Sequence, residues 1–206
     1  TALKAAAAAT AAAVAGAATA IGALTTKAIE GYAAQEQLVG GVETLFKTSS
    51  DTVVGYANDA YKTAGMSANE YMETVTSFSA SLLASMNNDT AAAAEKANVA
   101  ITDMSDNANK MGTDISLIQN AYNGFAKQNY TMLDNLKLGY GGTKEEMQRL
   151  LDDASKLSGI KYDISSYSDV VDAIHVVQTE MGITGTTAKE ASTTIEGSVS
   201  SMSSAW

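Results

Sequence analysis

The chain has 206 residues, a net charge of −10, and no proline or cysteine. That length suits one domain or two small ones. The absence of cysteine excludes disulfides and thiolate metal sites, and an acidic chain with one Arg and no basic cluster is a poor ligand for nucleic acids. Missing proline favours long helices, because proline removes an N–H donor and clashes with the preceding turn. Residues 1–50 are neutral, so the whole charge excess lies in 51–206.

Residues 5–26 carry no charge and consist mostly of alanine, the strongest helix former. Their number is close to the roughly 20 residues that span a bilayer as a helix, but alanine is only weakly apolar. Three interpretations stay open: a helix that packs its small residues against other copies or an enclosing wall, a membrane-inserting helix, and a flexible low-complexity stretch. A signal peptide is not indicated, because no basic region precedes a leucine-rich core.

Amphipathic helices are predicted after Gly40–Gly41. Ser67 to Glu70 has the pattern of a capping box, and Gly65 before it can end the preceding helix. Apolar residues of the helix that follows recur at spacings of 3 and 4, which indicates one buried stripe: Tyr71, Val75, Phe78, Leu82 and Met86.

Polar caps and glycines divide the rest of the chain. Asp89 is predicted to cap a helix that Gly112 ends, and Asp114 to begin another. A second capping box starts at Thr143, with its helix ending at Gly159. The apolar positions of these helices are Ile115, Ile118, Tyr122 and Phe125, then Met147, Leu150, Leu151, Ala154 and Leu157.

The last part of the chain begins with residues 160–167, the only irregular or β-like stretch. A valine-rich helix then runs to Gly182 with Val170, Val171, Ile174, Val177 and Met181 on its apolar face, and Thr187 to Glu190 is predicted to cap a final helix. We therefore expect an all-α fold of about seven helices. Composition predicts two domains: an Ala/Gly-rich helix in 1–48 that packs on itself or is active on membranes, and an acidic helical domain in 49–206.

His175 is the only histidine, and it lies in the valine-rich helix. General base catalysis or metal binding needs a second group at a defined spacing. The residues one turn away, Val171 and Thr179, are not usual ligands. A packing role is therefore predicted for His175.

Asp103, Ser105 and Asn107 have the alternating spacing of a calcium loop, with Asp114 at its twelfth position. The sixth position requires Gly for its sharp turn, and Ala108 stands there. A polar helical face is the preferred interpretation.

The glycine-rich run from Leu138 to Lys144 does not match a phosphate loop, because Thr precedes Lys and no strand precedes the glycines. Adjacent acidic pairs, Glu145–Glu146 and Asp152–Asp153, point about 100° apart on a helix and cannot flank one scissile bond. No catalytic, cofactor-binding or metal site is assigned, no cofactor is expected, and the chain is predicted not to be an enzyme. The apolar residues from Tyr130 to Leu138 are predicted to pack in the core, with a surface for other copies or for a partner protein as the alternative.

The run IQNAYNGFAKQNYTMLDNLKLGYGGTKEEM, from Ile118 to Met147, resembles a block of the tail tape measure proteins of long-tailed (siphovirus-type) bacteriophages. Three further runs resemble the same family in the same order: Glu36 to Phe46, Tyr56 to Leu83 and Ile101 to Ile115. The resemblance spans most of residues 30–160 and depends on several ordered segments.

The resemblance implies a structural protein of the virion that lies in the tail tube or at the tail tip, and in the host cytoplasm during assembly. Such proteins set tail length and leave the tube ahead of the DNA. The partners it implies are other copies of the chain as a homotrimer, tail tube and tail-tip (distal tail or hub) proteins, and the host membrane, with no specific nucleic-acid binding. Since the chain starts at Thr1 without an initiator Met, we expect a segment of a longer protein. The alternative function is a pore-forming or secreted helical effector.

Overall fold

The computed structural model describes residues 35–193. From Val39 onward these residues form one compact unit, and residues 35–38 are grouped with the preceding part of the chain. Helices account for all the regular structure in the described range, which contains no strand. The all-α prediction is therefore confirmed. The predicted helix over residues 5–26 lies outside the described residues.

Eight α-helices and two short 3₁₀ helices follow one another in the described range. Helix α1 covers residues 35–46 of that range. After it come η1 (Lys47–Ser49), α2 (Ser50–Thr63), α3 (Ala68–Ser85), α4 (Thr90–Met111), α5 (Ile115–Phe125), η2 (Leu133–Leu136), α6 (Lys144–Ser158), α7 (Tyr167–Glu180) and α8 (Thr186–Thr193).

Four of the predicted N-caps are present, each as a side-chain oxygen accepting from a backbone N–H of the first turn. Ser67 accepts from Glu70 at 3.3 Å, and Asp89 accepts from Ala91 and Ala92 at 3.1 Å. Asp114 and Thr143 cap α5 and α6 in the same way. Left-handed glycines follow the helices where the sequence predicts them, with φ of 62° at Gly112 and 74° at Gly159. Local sequence therefore determines most of the helix ends.

Helix α4 lies at the centre of the body and packs against α2, α3, α5, α7 and α8. Its first half is lined with alanines that have no exposed surface: Ala93, Ala94, Ala97 and Ala100. Small side chains let neighbouring backbones approach closely, so one helix can be surrounded on several sides. The Ala-rich stretch thus explains why α4 takes the central position.

The aromatic core lies between α3, α5 and the segment after α5. The predicted α3 stripe is confirmed at Tyr71, Val75, Phe78 and Leu82, which are buried. Its last member, Met86, follows the end of the helix and is only partly buried. The centre of the Phe125 ring lies 6.1 Å from that of Tyr130, on which it stacks, and 5.8 Å from that of Tyr122. The core prediction for the run from Tyr130 to Leu138 holds at Tyr130, Leu133, Leu136 and Leu138, which are buried, while Met132 is only partly buried.

Two predicted core positions are exposed. Leu157 is 49% exposed in the last turn of α6, and Met181 is 44% exposed just after α7. Both continue an apolar stripe by spacing, but each lies at a helix end, where the packed neighbour no longer covers it. The periodic pattern therefore overestimates the core at these two helix ends.

Candidate functional site

The second half of α4 carries a buried polar face. Asp103, Asp106 and Asn107 share one side of the helix, because residues three and four apart are neighbours on its surface. They are 1%, 0% and 0% exposed. The predicted polar helical face is present, but its side chains point into the body, where a buried polar group must find a partner. A calcium loop is ruled out here as well, since residues 103–111 are continuous helix.

Asp103 bonds to His175 of α7. The His175 Nδ1 atom lies 2.9 and 3.0 Å from the two carboxylate oxygens. Helix spacing within α7 indicates only Val171 and Thr179, one turn away, as neighbours of His175. It could not reveal Asp103, which is 72 residues away in sequence. The histidine ring is half-buried, with its side chain 37% exposed.

Burial and hydrogen bonding shift the pKa of both side chains in this pair. Burial raises the pKa of Asp103, and the hydrogen bond to His175 opposes that rise. The same hydrogen bond raises the pKa of His175, against the effect of its partial burial. The pKa of each side chain thus lies above its ordinary value.

Asn107 joins three elements. Its Nδ2 atom donates to the backbone carbonyl of Leu136 in η2 at 3.0 Å and to Oε1 of Gln178 in α7 at 2.7 Å. Gln178 is fully buried and in turn donates to the backbone carbonyl of Asp103 at 3.4 Å. This small network ties α4 to α7 and to the segment after α5.

The residues that join α4 to α7 follow the same order along both helices. Lys96 forms an ion pair with Asp172, Asp103 meets His175, and Asn107 meets Gln178. The two helices therefore run in the same general direction, joined by one ion pair, one carboxylate–imidazole contact and one amide pair.

Asp106 caps α8 from a different helix. Its carboxylate accepts from the backbone N–H of Gly185 at 2.6 Å and of Thr187 at 2.8 Å. The predicted capping box from Thr187 to Glu190 is wrong, because α8 already begins at Thr186 and a buried side chain of α4 supplies its acceptor. Backbone N–H groups at a helix start favour an anion.

The glycine-rich loop before α6 is held by side chains from the first turns of α6. Glu146 accepts from the Gly141 N–H at 2.9 Å and from Arg149 at 2.6 Å. Arg149 also donates to the Gly139 carbonyl and lies 4.3 Å from the centre of the Tyr140 ring. The Arg149 guanidinium lowers the pKa of Glu146 to about 2, with help from the Gly141 N–H. An internal carboxylate thus occupies the donors that a bound anion would use.

A close backbone approach shapes the same loop. A Cβ atom on Gly142 would lie 2.2 Å from the Thr131 carbonyl oxygen. Only glycine permits this contact, which brings the start of α6 against the segment after α5.

The chemistry available to the polar face is limited. An imidazole held at Nδ1 by a carboxylate is oriented to use Nε2 as an acid or base. Within residues 35–193, Asp103 is the only hydrogen-bond partner of the His175 ring, so no nucleophile is placed on it. The same range contains no cluster of three or more His, Cys, Asp or Glu side chains able to hold a metal ion.

No helix in the described part of the chain combines the length and apolar character needed to cross a bilayer. Comparisons of the chain with protein-family models, with curated proteins and with solved structures find no match. A family assignment therefore depends on the sequence segments quoted above.

Proposed function

We propose that this chain is a segment of a phage, or phage-derived, tail tape measure protein, and that it acts as a structural part of the virion without catalysis. The observation that carries the proposal is the ordered resemblance of four segments to that family. Three of these segments lie wholly in the compact body. The first, Tyr56 to Leu83, covers the second half of α2 and most of α3. The second, Ile101 to Ile115, covers the polar half of α4, and the third, Ile118 to Met147, runs from α5 to the start of α6.

The packing of these segments supports a structural role. Each of these three segments contributes large side chains to the core, none of them more than 2% exposed. They are Tyr71 and Phe78 in the first segment, Ile101 and Met104 in the second, and Tyr122 and Phe125 in the third. The residues that carry the resemblance are thus largely the residues that hold the body together. We infer that the family pattern specifies a fold, and that the function lies in assembly.

Charge is consistent with a place in the tail. The net charge of −10 comes from residues 51–206, and an acidic surface repels DNA instead of holding it. A protein that leaves the tube ahead of the genome benefits from not binding it. On this proposal the body is a folded unit within the longer tape measure chain, present as a homotrimer in contact with tail tube or tail-tip proteins, and it does not serve as the measuring rod.

Quantitative mass spectrometry of purified tail particles, from the organism that encodes the chain, tests the proposal. We expect peptides from residues 39–193 to copurify with tail tube protein at a few copies per particle. Recovery in the secreted fraction without tube proteins would favour the effector function instead. One copy per tube subunit would contradict a tape measure, because a measuring protein runs along the tube and does not repeat with each ring.

A further inference from the structure

Helix α8 is held to the body in a way that differs from the other helices. None of its residues from Thr186 to Thr193 is buried. It packs on α2 and α4. Its hydrogen bonds to α4 include those from the Gly185 and Thr187 N–H groups to the Asp106 carboxylate and from the Thr186 hydroxyl to the Asp106 carbonyl. Asn109 Nδ2 also donates to Glu190 at 2.9 Å. The other α-helices from α2 to α7 each bury at least three side chains.

The first turn of α8 is the costly part of the helix to form, because nucleation fixes several dihedrals before any hydrogen bond repays it. The start of α8 depends on the Asp106 carboxylate, which is fully buried and satisfies two of the first backbone donors. Folding of α8 is therefore coupled to its docking on α4.

The connection before α8 allows a local hinge. Ile183 is 1% exposed and anchors the chain to the body. Gly182 and Gly185 on either side have φ of 65° and 85°, and a Cβ at either position would meet no atom within 4 Å. The residues after Ile183 can thus move without disturbing the core.

We propose that residues 184–193 form a detachable latch, which folds only while the buried carboxylate of Asp106 caps it and which opens while the rest of the body stays folded. Opening has a structural consequence beside the latch. An open cavity of about 230 Å³ lies between the end of α2 and α4, with Met66, Ser105, Ala108 and Ile115 in its lining and Thr187 forming part of its wall. Release of the latch removes that wall and exposes Asp106.

Two variants test the latch from its two sides, with backbone hydrogen exchange read by mass spectrometry on the full chain. Asp106→Asn keeps the shape of the cap but loses its charge and one strong acceptor. Because bonds to charged groups are the strong ones, exchange in 184–193 should rise about 10- to 100-fold. Ala188→Gly with Ala191→Gly leaves Asp106 intact and lowers helix propensity by about a factor of five per site, so exchange there should rise about 25-fold.

Asp89→Asn is the matched control, because Asp89 caps α4 on the exposed surface and Asn caps as well as Asp. It should leave exchange in 184–193 unchanged. The latch is supported if both test variants speed exchange there while α3 and α7 keep their protection. It is overturned if the glycine pair has no effect on 184–193, or if exchange rises equally in α3 and α7. Should Asp106→Asn fail to fold, the glycine pair still decides between these outcomes.

Discussion

Gly142→Ala should lower the free energy of unfolding by about 3 kcal/mol or more, since overpacking against a rigid group is among the costly substitutions. The added Cβ would lie 2.2 Å from the Thr131 carbonyl oxygen and 2.9 Å from its carbonyl carbon. Both are backbone atoms, so no rotamer change can relieve the clash. Urea unfolding monitored by circular dichroism gives the measurement.

Gly55→Ala is the matched control for that substitution. Gly55 lies inside α2, and a Cβ there would meet no atom within 4 Å. Alanine should therefore stabilise the body by about 0.5–1 kcal/mol, because glycine costs more backbone entropy in a helix. The same chemical change is expected to have opposite signs at the two positions. Equal effects of the two substitutions on the free energy of unfolding would contradict the close contact between Gly142 and the Thr131 carbonyl.

Asn107→Leu should destabilise the body by about 2–5 kcal/mol. The substitution leaves the Leu136 carbonyl and the Gln178 Oε1 atom buried without their donor, and each orphaned acceptor costs about 1–3 kcal/mol. Loss of these hydrogen bonds between α4, α7 and η2 should lower the urea concentration at the unfolding midpoint. The dependence of the unfolding free energy on urea concentration should stay the same.

The double variant Asn107→Leu, Gln178→Leu shows where that cost comes from. If it arises from unpaired polar groups, the second substitution should recover part of the stability, because replacing both partners by apolar groups can be nearly neutral. Additive losses would mean instead that shape, and not hydrogen bonding, makes Asn107 necessary.

Local pattern was sufficient for most of the fold. The caps at Ser67, Asp89 and Thr143 and the left-handed turns at Gly112 and Gly159 involve residues only a few positions apart, so the sequence shows them directly. The apolar stripe of α3 follows from helical periodicity in the same way. The predictions that Leu157 and Met181 are buried failed because both residues lie at helix ends. There the apolar spacing continues, but no neighbouring helix in the described range covers the side chain.

The polar face of α4 could not be predicted, because its partners are far away in sequence. Asp103 meets His175 across 72 residues, and Asp106 meets Gly185 across 79. Spacing within one helix gives no information about which helix lies opposite. One signal was available: three polar residues at i, i+3 and i+4 on a helix whose first half is mostly alanine indicate a helix surrounded by others, where polar side chains must be paired.

The most direct test of the proposed function is the length of the tail after an in-frame deletion in the parent gene. Removal of residues 39–193, a folded body of 155 residues, should shorten the tail by no more than the body's own diameter, about 40 Å. Removal of the same number of residues from a long helical stretch of the parent should shorten it by about 230 Å, at 1.5 Å per residue. Electron micrographs of the two particle populations give both lengths. A tail of unchanged length after the second deletion would contradict the tape measure assignment, and a loss of 230 Å after the first would contradict a folded body in the tail.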